Sequence, residues 1–305
     1  MKWKKLGNIF EVKNQNEWMY THASVPFSDL EDIEKGIIKI YFSSRDKLNR
    51  SNINWIKYDL EKRKVIDISN KPVLVPGELG TFDDSGVMGS CILTTNRKKF
   101  LYYIGWNLGQ TVPFRNSIGI AEEREDGFKK MFEGPILDRT KDEPHFVASN
   151  CVIYGEGIYK MWYLSCVKWE KIGNEIRHFY HIKYAKSFDG INWKRNGEVA
   201  IDFQDEYEYA ISVPRVIKKD GKYMMWFSSR ASEQCPTYRI RKAISDDGKI
   251  WQRIKQVELD ISSEGWDSEM VCYPYVFEYK DKLYMLYNGN GYGKTGIGLA
   301  VLEEE

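Results

Sequence analysis

Histidine, cysteine and proline are scarce in this chain, at four, five and nine of 305 residues. Four histidines, two of them paired as His178 and His181, are too few for a dedicated metal cluster, so no metal is expected. The five cysteines, Cys91, Cys151, Cys166, Cys235 and Cys272, are odd in number and show no CxxC spacing. They read as buried free thiols rather than a disulfide framework or a zinc site. No stretch approaches the ~18 apolar residues of a membrane span. The opening MKWKKLGNIF is basic but lacks the apolar core of a signal peptide, so no membrane partner and a cytoplasmic location are expected. Lysine and arginine (45) almost cancel aspartate and glutamate (44), which leaves no bulk field to attract nucleic acid. Gly289–Thr295 superficially resembles a phosphate loop, but position 288 is Asn where that motif needs Gly. A glycine-rich hairpin is expected there, and no cofactor.

Helical periodicity is missing as well, since no segment keeps a 3.6-residue apolar rhythm over several turns. A long-range rhythm takes its place. Phe42, Tyr103, Tyr163, Phe227 and Tyr287 each close an aromatic-rich strand, at steps of 61, 60, 64 and 60 residues. A second ladder, Pro26, Ser90, Asn150, Pro214 and Pro274, runs in phase slightly earlier, at steps of 64, 60, 64 and 60. Self-similarity at a fixed period marks a repeat architecture, and β-rich units of this size suit propeller blades. The chain is therefore predicted to be all-β, one five-bladed β-propeller domain over residues 1–305 with four-stranded antiparallel blades. Blades are expected near 18–60, 80–125, 142–195, 207–255 and 266–303, with the termini close together.

Local chemistry fits this plan. Lys219-Asp220-Gly221-Lys222 reads as a tight hairpin, with Asp-Gly supplying the positive-φ positions. Ser187–Trp193 and Ser245–Trp251 both read S-x-D-G-x-x-W and lie 58 residues apart. In such a box Ser and Asp cap backbone N–H groups, Gly takes the left-handed corner, and Trp packs between strands.

A propeller gathers the beginnings of its innermost strands and the ends of its second strands on one face. The lead-in segments supply His22, Asp83, Asp84, His145, Glu208, Tyr209, Asp267 and Glu269; the return ends supply Arg45, Trp106, Asn107, Arg230 and Asn288. Indoles stack on sugar faces, while carboxylates and amides bond hydroxyls, so a small-molecule or oligosaccharide substrate is expected. Asp83 or Asp84, Glu208, and Asp267 or Glu269 are the candidate catalytic acids, because paired carboxylates can divide acid and nucleophile or base roles. His22, Arg45, Trp106, Asn107, His145, Tyr209, Arg215, Arg230 and Asn288 are the candidate substrate-binding residues.

The repeat, the two S-x-D-G-x-x-W boxes, and Trp266-Asp267-Ser268-Glu269 followed by Tyr284–Gly289 resemble the five-bladed propeller glycosidase superfamily. That superfamily includes glycoside hydrolase families 43, 32 and 130, with arabinanases, xylosidases, invertases, levansucrases and mannoside phosphorylases. The resemblance covers the whole chain and implies a glycoside hydrolase-like enzyme. Those families carry Asp directly before Pro in the first and third blades, and Glu two positions before Pro in the fourth. Here Ser24-Val25 precede Pro26, Ser212-Val213 precede Pro214, and the third blade has Ser149-Asn150. A glycosyl transferase or phosphorylase, with Arg45, Arg215 and Arg230 as anion partners, and a non-catalytic sugar-binding propeller are the alternatives.

Overall fold

The computed structural model describes residues 2–232 and 235–303. Its strands fall into groups that are consecutive in sequence and antiparallel within each group. β2 (Thr21–Asp29), β3 (Ile37–Arg45), β4 (Ser51–Asp59) and β5 (Lys64–Ile68) form the first. β6 (Gly86–Thr95), β7 (Lys98–Leu108), β8 (Phe114–Arg124) and β9 (Gly127–Lys130) follow. The third comprises β10 (Val147–Gly155), β11 (Ile158–Ile172), β12 (Glu175–Ser187) and β13 (Lys194–Ile201). β14 (Glu208–Lys219), β15 (Lys222–Ala231), β16 (Arg239–Ser245) and β17 (Gln252–Arg253) make the next. In the last, β18 (Cys272–Tyr279), β19 (Lys282–Asn288) and β20 (Ile297–Glu303) are completed by β1 (Lys2–Phe10) from the other end of the chain. Lys2 lies opposite Glu303, so the described ends are neighbours.

Leading strands pack side by side: β2 on β6, β6 on β10, β10 on β14, β14 on β18, and β18 back on β2. Each carries a bulge at the second sequence ladder, between Ser24 and Phe27, Gly89 and Cys91, Ala148 and Asn150, Ser212 and Arg215, and Cys272 and Tyr275. In three of them the residue before proline adopts left-handed φ: Val25 at 52°, Val213 at 49° and Tyr273 at 59°. That region is costly for a β-branched or bulky side chain, so the surroundings must hold it. A neighbouring group supplies the hold in each case. Val25 N–H donates to Asn288 Oδ1, Val213 N–H to Ser149 Oγ, and Tyr273 N–H to Ser228 Oγ.

The first ladder is the core. Phe42, Tyr103, Tyr163, Phe227 and Tyr287 are all wholly buried. Gly89 is needed where Phe27 crosses β6, because a Cβ there would sit 2.1 Å from the ring. Both S-x-D-G-x-x-W boxes fold as capped turns: Gly190 and Gly248 N–H donate to Ser187 and Ser245, and their φ angles are 75° and 77°. They also join groups, since Tyr102 OH donates to Gly190 O and Trp162 Nε1 to Gly248 O. The hairpin expected at 289–295 is instead a one-turn helix, α1 (Asn290–Gly293), with Gly291 and Tyr292 left-handed. Asn290 Oδ1 accepts from Glu269 and Met270 N–H, and Thr295 Oγ1 donates to Trp266 O, which draws the segment inward. No helix among the described residues is long and apolar enough to cross a membrane.

Candidate functional site

Four of the five predicted acids, Asp83, Asp84, Glu208 and Asp267, are engaged within their own strand groups. Each lead-in carboxylate sits about twenty residues before a hydroxyl on its own group's second strand, a separation that puts the two side by side. Asp83 accepts from Tyr103 OH at 3.3 Å and pairs with Lys130 of β9 at 2.6 Å. Asp267 accepts from Tyr287 OH at 3.1 Å and pairs with Lys5 of β1 at 2.7 Å. Glu208 accepts from Ser229 and takes a two-pronged bond from Arg253 of β17 at 2.6 and 2.7 Å. Glu143 repeats the arrangement with Tyr163, Ser165, Lys183 and Arg195. Burial opposes its ionisation, but the Ser165 bond and the two cations together hold its carboxyl below the usual range. All four are buried, and each fastens the lead-in turn to the outer strands of its own group.

Asp84 is also committed. It accepts from Gly80 N–H, Ser85 Oγ and Asn107 Nδ2, and Asn107 gives its other proton to Thr81 O. Burial pushes against the Asp84 charge, yet those bonds keep its carboxyl below the ordinary value. Asn288, expected to bind substrate, is wholly buried. Its amide donates to Ala23 O at 2.7 Å and Gly296 O at 2.8 Å, and its oxygen accepts from Val25 N–H, so it ties the last group to the first. Arg215 lies on the far side of the bulges, its Nε donating to Val276 O and its guanidinium 4.0 Å from the Tyr275 ring centre. His145 is half-buried beside Phe146 and makes no side-chain hydrogen bond among the described residues. Of the predicted acids, only exposed Glu269 has a carboxylate without a hydrogen bond or ion pair among those residues.

The remaining candidates do converge, on the front face where the leading strands begin. Arg45 and Trp106 line a cavity of about 180 Å3 with Ser24, Met88, Phe114 and Asn116. Trp106 is fixed there by its Nε1 bond to Ser51 Oγ at 2.7 Å. Phe114 continues into an aromatic cluster with Phe146, Trp169 and His178, at ring separations of 5.6, 5.5 and 5.3 Å. His178 then stacks on Tyr180, 5.0 Å away. Arg230 sits among tyrosines, with Tyr238 at 4.8 Å and Tyr209 at 5.1 Å from its guanidinium carbon. Its Nη1 donates to Tyr292 OH at 2.8 Å, while its Nε is buried without a partner.

Electrostatics set this cluster apart. Neither Arg45 nor Arg230 makes an ion pair among the described residues; their hydrogen bonds go to Asn49 and Tyr292. Burial, then Arg45 and Lys294, pull the His22 pKa down to about 4. Burial, then Arg230, pull His178 down to about 4 as well. Both imidazoles are neutral at pH 7. The Ser90 hydroxyl and the Asn150 amide, both inaccessible, have no hydrogen-bond partner among the described residues and stand at the bulges of β6 and β10. The described residues hold no cluster of three or more His, Cys, Asp or Glu side chains able to bind a metal.

Sequence reasoning missed Tyr180, Tyr238, Tyr273, Tyr292, His178 and Lys294. Their signal was faint, because third strands and a glycine-rich turn supply most of them. The roughly twenty-residue offset between acid and hydroxyl was readable, since both ladders were already in view.

Solved structures of low identity share this fold. A glycosyl hydrolase from Bacteroides ovatus superposes with a TM-score of 0.72 at 14% identity, over 99% of this chain and 90% of that protein. A thermostable family-43 glycoside hydrolase gives 0.66 at 16% identity, over 93% and 91%. The fold is thus that of propeller glycosidases. No family model matches the sequence. The chain belongs to the family of the uncharacterized protein Rv1502 of Mycobacterium tuberculosis, with 40% identity over 99% of this chain and 100% of that protein. A β-1,2-mannobiose phosphorylase of Thermoanaerobacter sp. is 27% identical over 40% of this chain and 44% of its own length.

Proposed function

We propose that the protein is a single-domain, five-bladed propeller that acts on a glycoside at its front face, in a reaction involving a phosphate or glycosyl phosphate. The observation that carries this is the two arginines of this face, Arg45 beside neutral His22 and Arg230 among tyrosines and neutral His178, with no ion pair to either among the described residues. A half-buried cation without a counter-ion favours an anionic ligand, and guanidinium matches phosphate oxygens in geometry. Trp106 and Phe114 supply the apolar wall on which a sugar ring stacks. The partial likeness to a mannobiose phosphorylase agrees with this choice.

In phosphorolysis a phosphate oxygen bonds to the anomeric carbon as the bond to the glycosidic oxygen breaks. The departing oxygen takes a proton. Glu269, exposed at the front rim, is the donor we assign, because the other predicted acids are already engaged. Hydrolysis through Asp83, Glu208 and Asp267 is the second reading, supported by their lead-in positions.

The test is turnover of aryl glycosides and neutral disaccharides with and without inorganic phosphate, beside phosphate titration by calorimetry. Phosphate-dependent turnover, with phosphate binding lost in Arg230→Met, supports the proposal. Turnover indifferent to phosphate overturns it in favour of hydrolysis. Sugar binding with no turnover of either kind leaves a binding module.

A further inference from the structure

A cavity of about 570 Å3 lies away from the front face, between the first and second strand groups. Its walls are Lys39 and Tyr41 of β3, Trp55 of β4, the linker 70–78, Glu123 of β8 and Phe128 of β9. A volume of this order is typical of small-molecule sites.

Beneath this cavity the buried Tyr41 hydroxyl has no hydrogen-bond partner among the described residues. The Lys39 ammonium lies over the Tyr41 and Trp55 rings, 5.2 and 4.7 Å from their centres, and no described residue gives it an ion pair or hydrogen bond. Burial drives the Lys39 pKa down and the Tyr41 pKa up, and both groups feel the charges of Asp29 and Glu123. The Tyr41 hydroxyl is shut off from the cavity, but the half-buried Lys39 ammonium borders it without an acceptor, so the site calls for an oxygen atom there.

The surrounding charges limit what that oxygen belongs to. The charges lining the cavity nearly balance, Lys39, Lys71, Lys129 and Lys130 against Glu78, Glu123 and Asp126, and so favour neither an anion nor a cation. A neutral hydroxyl suits both signs, accepting from Lys39 and donating to the Glu123 carboxylate. Partly exposed Trp55, with Phe128 set edge-on to Tyr41 at 6.2 Å, provides apolar surface for C–H faces. We propose that this cavity is a second, non-catalytic site for a neutral saccharide unit. It does not rest on the front-face reading.

The test uses the full chain with the front face disabled by Arg230→Met and Trp106→Ala. Neutral disaccharides (mannobiose, xylobiose, cellobiose, maltose) are titrated by calorimetry, with galacturonic acid and glucosamine as charged controls. One neutral disaccharide is expected to bind this variant in preference to both controls. Adding Lys39→Met should weaken it by about three- to tenfold, the value of one hydrogen bond. The melting temperature should stay nearly level, since Lys39 makes no ion pair among the described residues. Trp55→Ala should weaken binding at least as much. No binding of any neutral disaccharide at millimolar concentration overturns the proposal. So does preference for a charged sugar, or an affinity unmoved by both substitutions.

Discussion

Glu208→Gln separates a structural carboxylate from a catalytic one. The Glu208 side chain is 6% exposed, and that of Arg253 is 17% exposed. Its oxygens accept two bonds from Arg253, one from Gln204 N–H and one from Ser229. Glutamine keeps the shape but turns one oxygen into an NH2 that faces the guanidinium. Arg253 then keeps one bond to the remaining amide oxygen, its bond to Asp202 O and its place 5.2 Å from the Phe227 ring centre, but loses its counter-charge. Breaking a buried pair on one side costs about 3–5 kcal/mol, because the surviving charge stays buried and unmatched. At roughly 2–4 °C per kcal/mol for a large domain, Tm should fall by about 6–20 °C. Removing both partners (Glu208→Gln with Arg253→Met) should cost less than the two single changes summed, a coupling measurable by thermal and urea denaturation. Ligand affinity, measured well below the lowered Tm, should hold near that of the parent. A Tm within 1 °C of the parent, with turnover lost by orders of magnitude, would refute this reasoning and restore Glu208 as a catalytic acid.

Asn288→Ala removes three hydrogen bonds that tie β19 and the Gly296 turn to β2, and it uncaps the strained Val25. A loss of about 2–4 kcal/mol in urea denaturation is expected, and a change under 0.5 kcal/mol would contradict the closing role. For pH, His22 and His178 stay neutral in the folded protein down to about 4, while in the unfolded chain they take protons near 6.5. The unfolded state therefore binds more protons between those values, so stability should fall as pH drops from about 6.5 to 4. His178→Gln should flatten that slope, and an unchanged slope in the variant would count against the burial argument. Phosphate bound beside Arg45 and Lys294 should raise the His22 pKa, which an NMR titration with and without phosphate can read.

Much of this protein is legible along the chain. Aromatic positions near every sixtieth residue and glycines at capped turns act within one strand or one turn, so the repeat predicts the strand groups without any knowledge of how they meet. Gly190 and Gly248 are of this local kind: Ser-Asp caps and a left-handed corner set them wherever the chain goes. The lead-in acids are different. An aspartate before a strand reads the same whether it faces a sugar or a lysine. For Asp83 the answer came from Lys130, for Glu208 from Arg253, and for Asp267 from Lys5, which lies at the opposite end of the chain.

The front-face cluster shows the same division. Trp106 and Arg45 were readable because they end second strands, whose direction the repeat predicts. Tyr292 was not, since it reaches Arg230 only through a one-turn helix drawn inward by Asn290 and Thr295. Periodicity and turn chemistry are local properties and are written in the sequence. The partner of a buried charge is a matter of which strands become neighbours. Only the tertiary structure decided that the acids are held and the arginines are not.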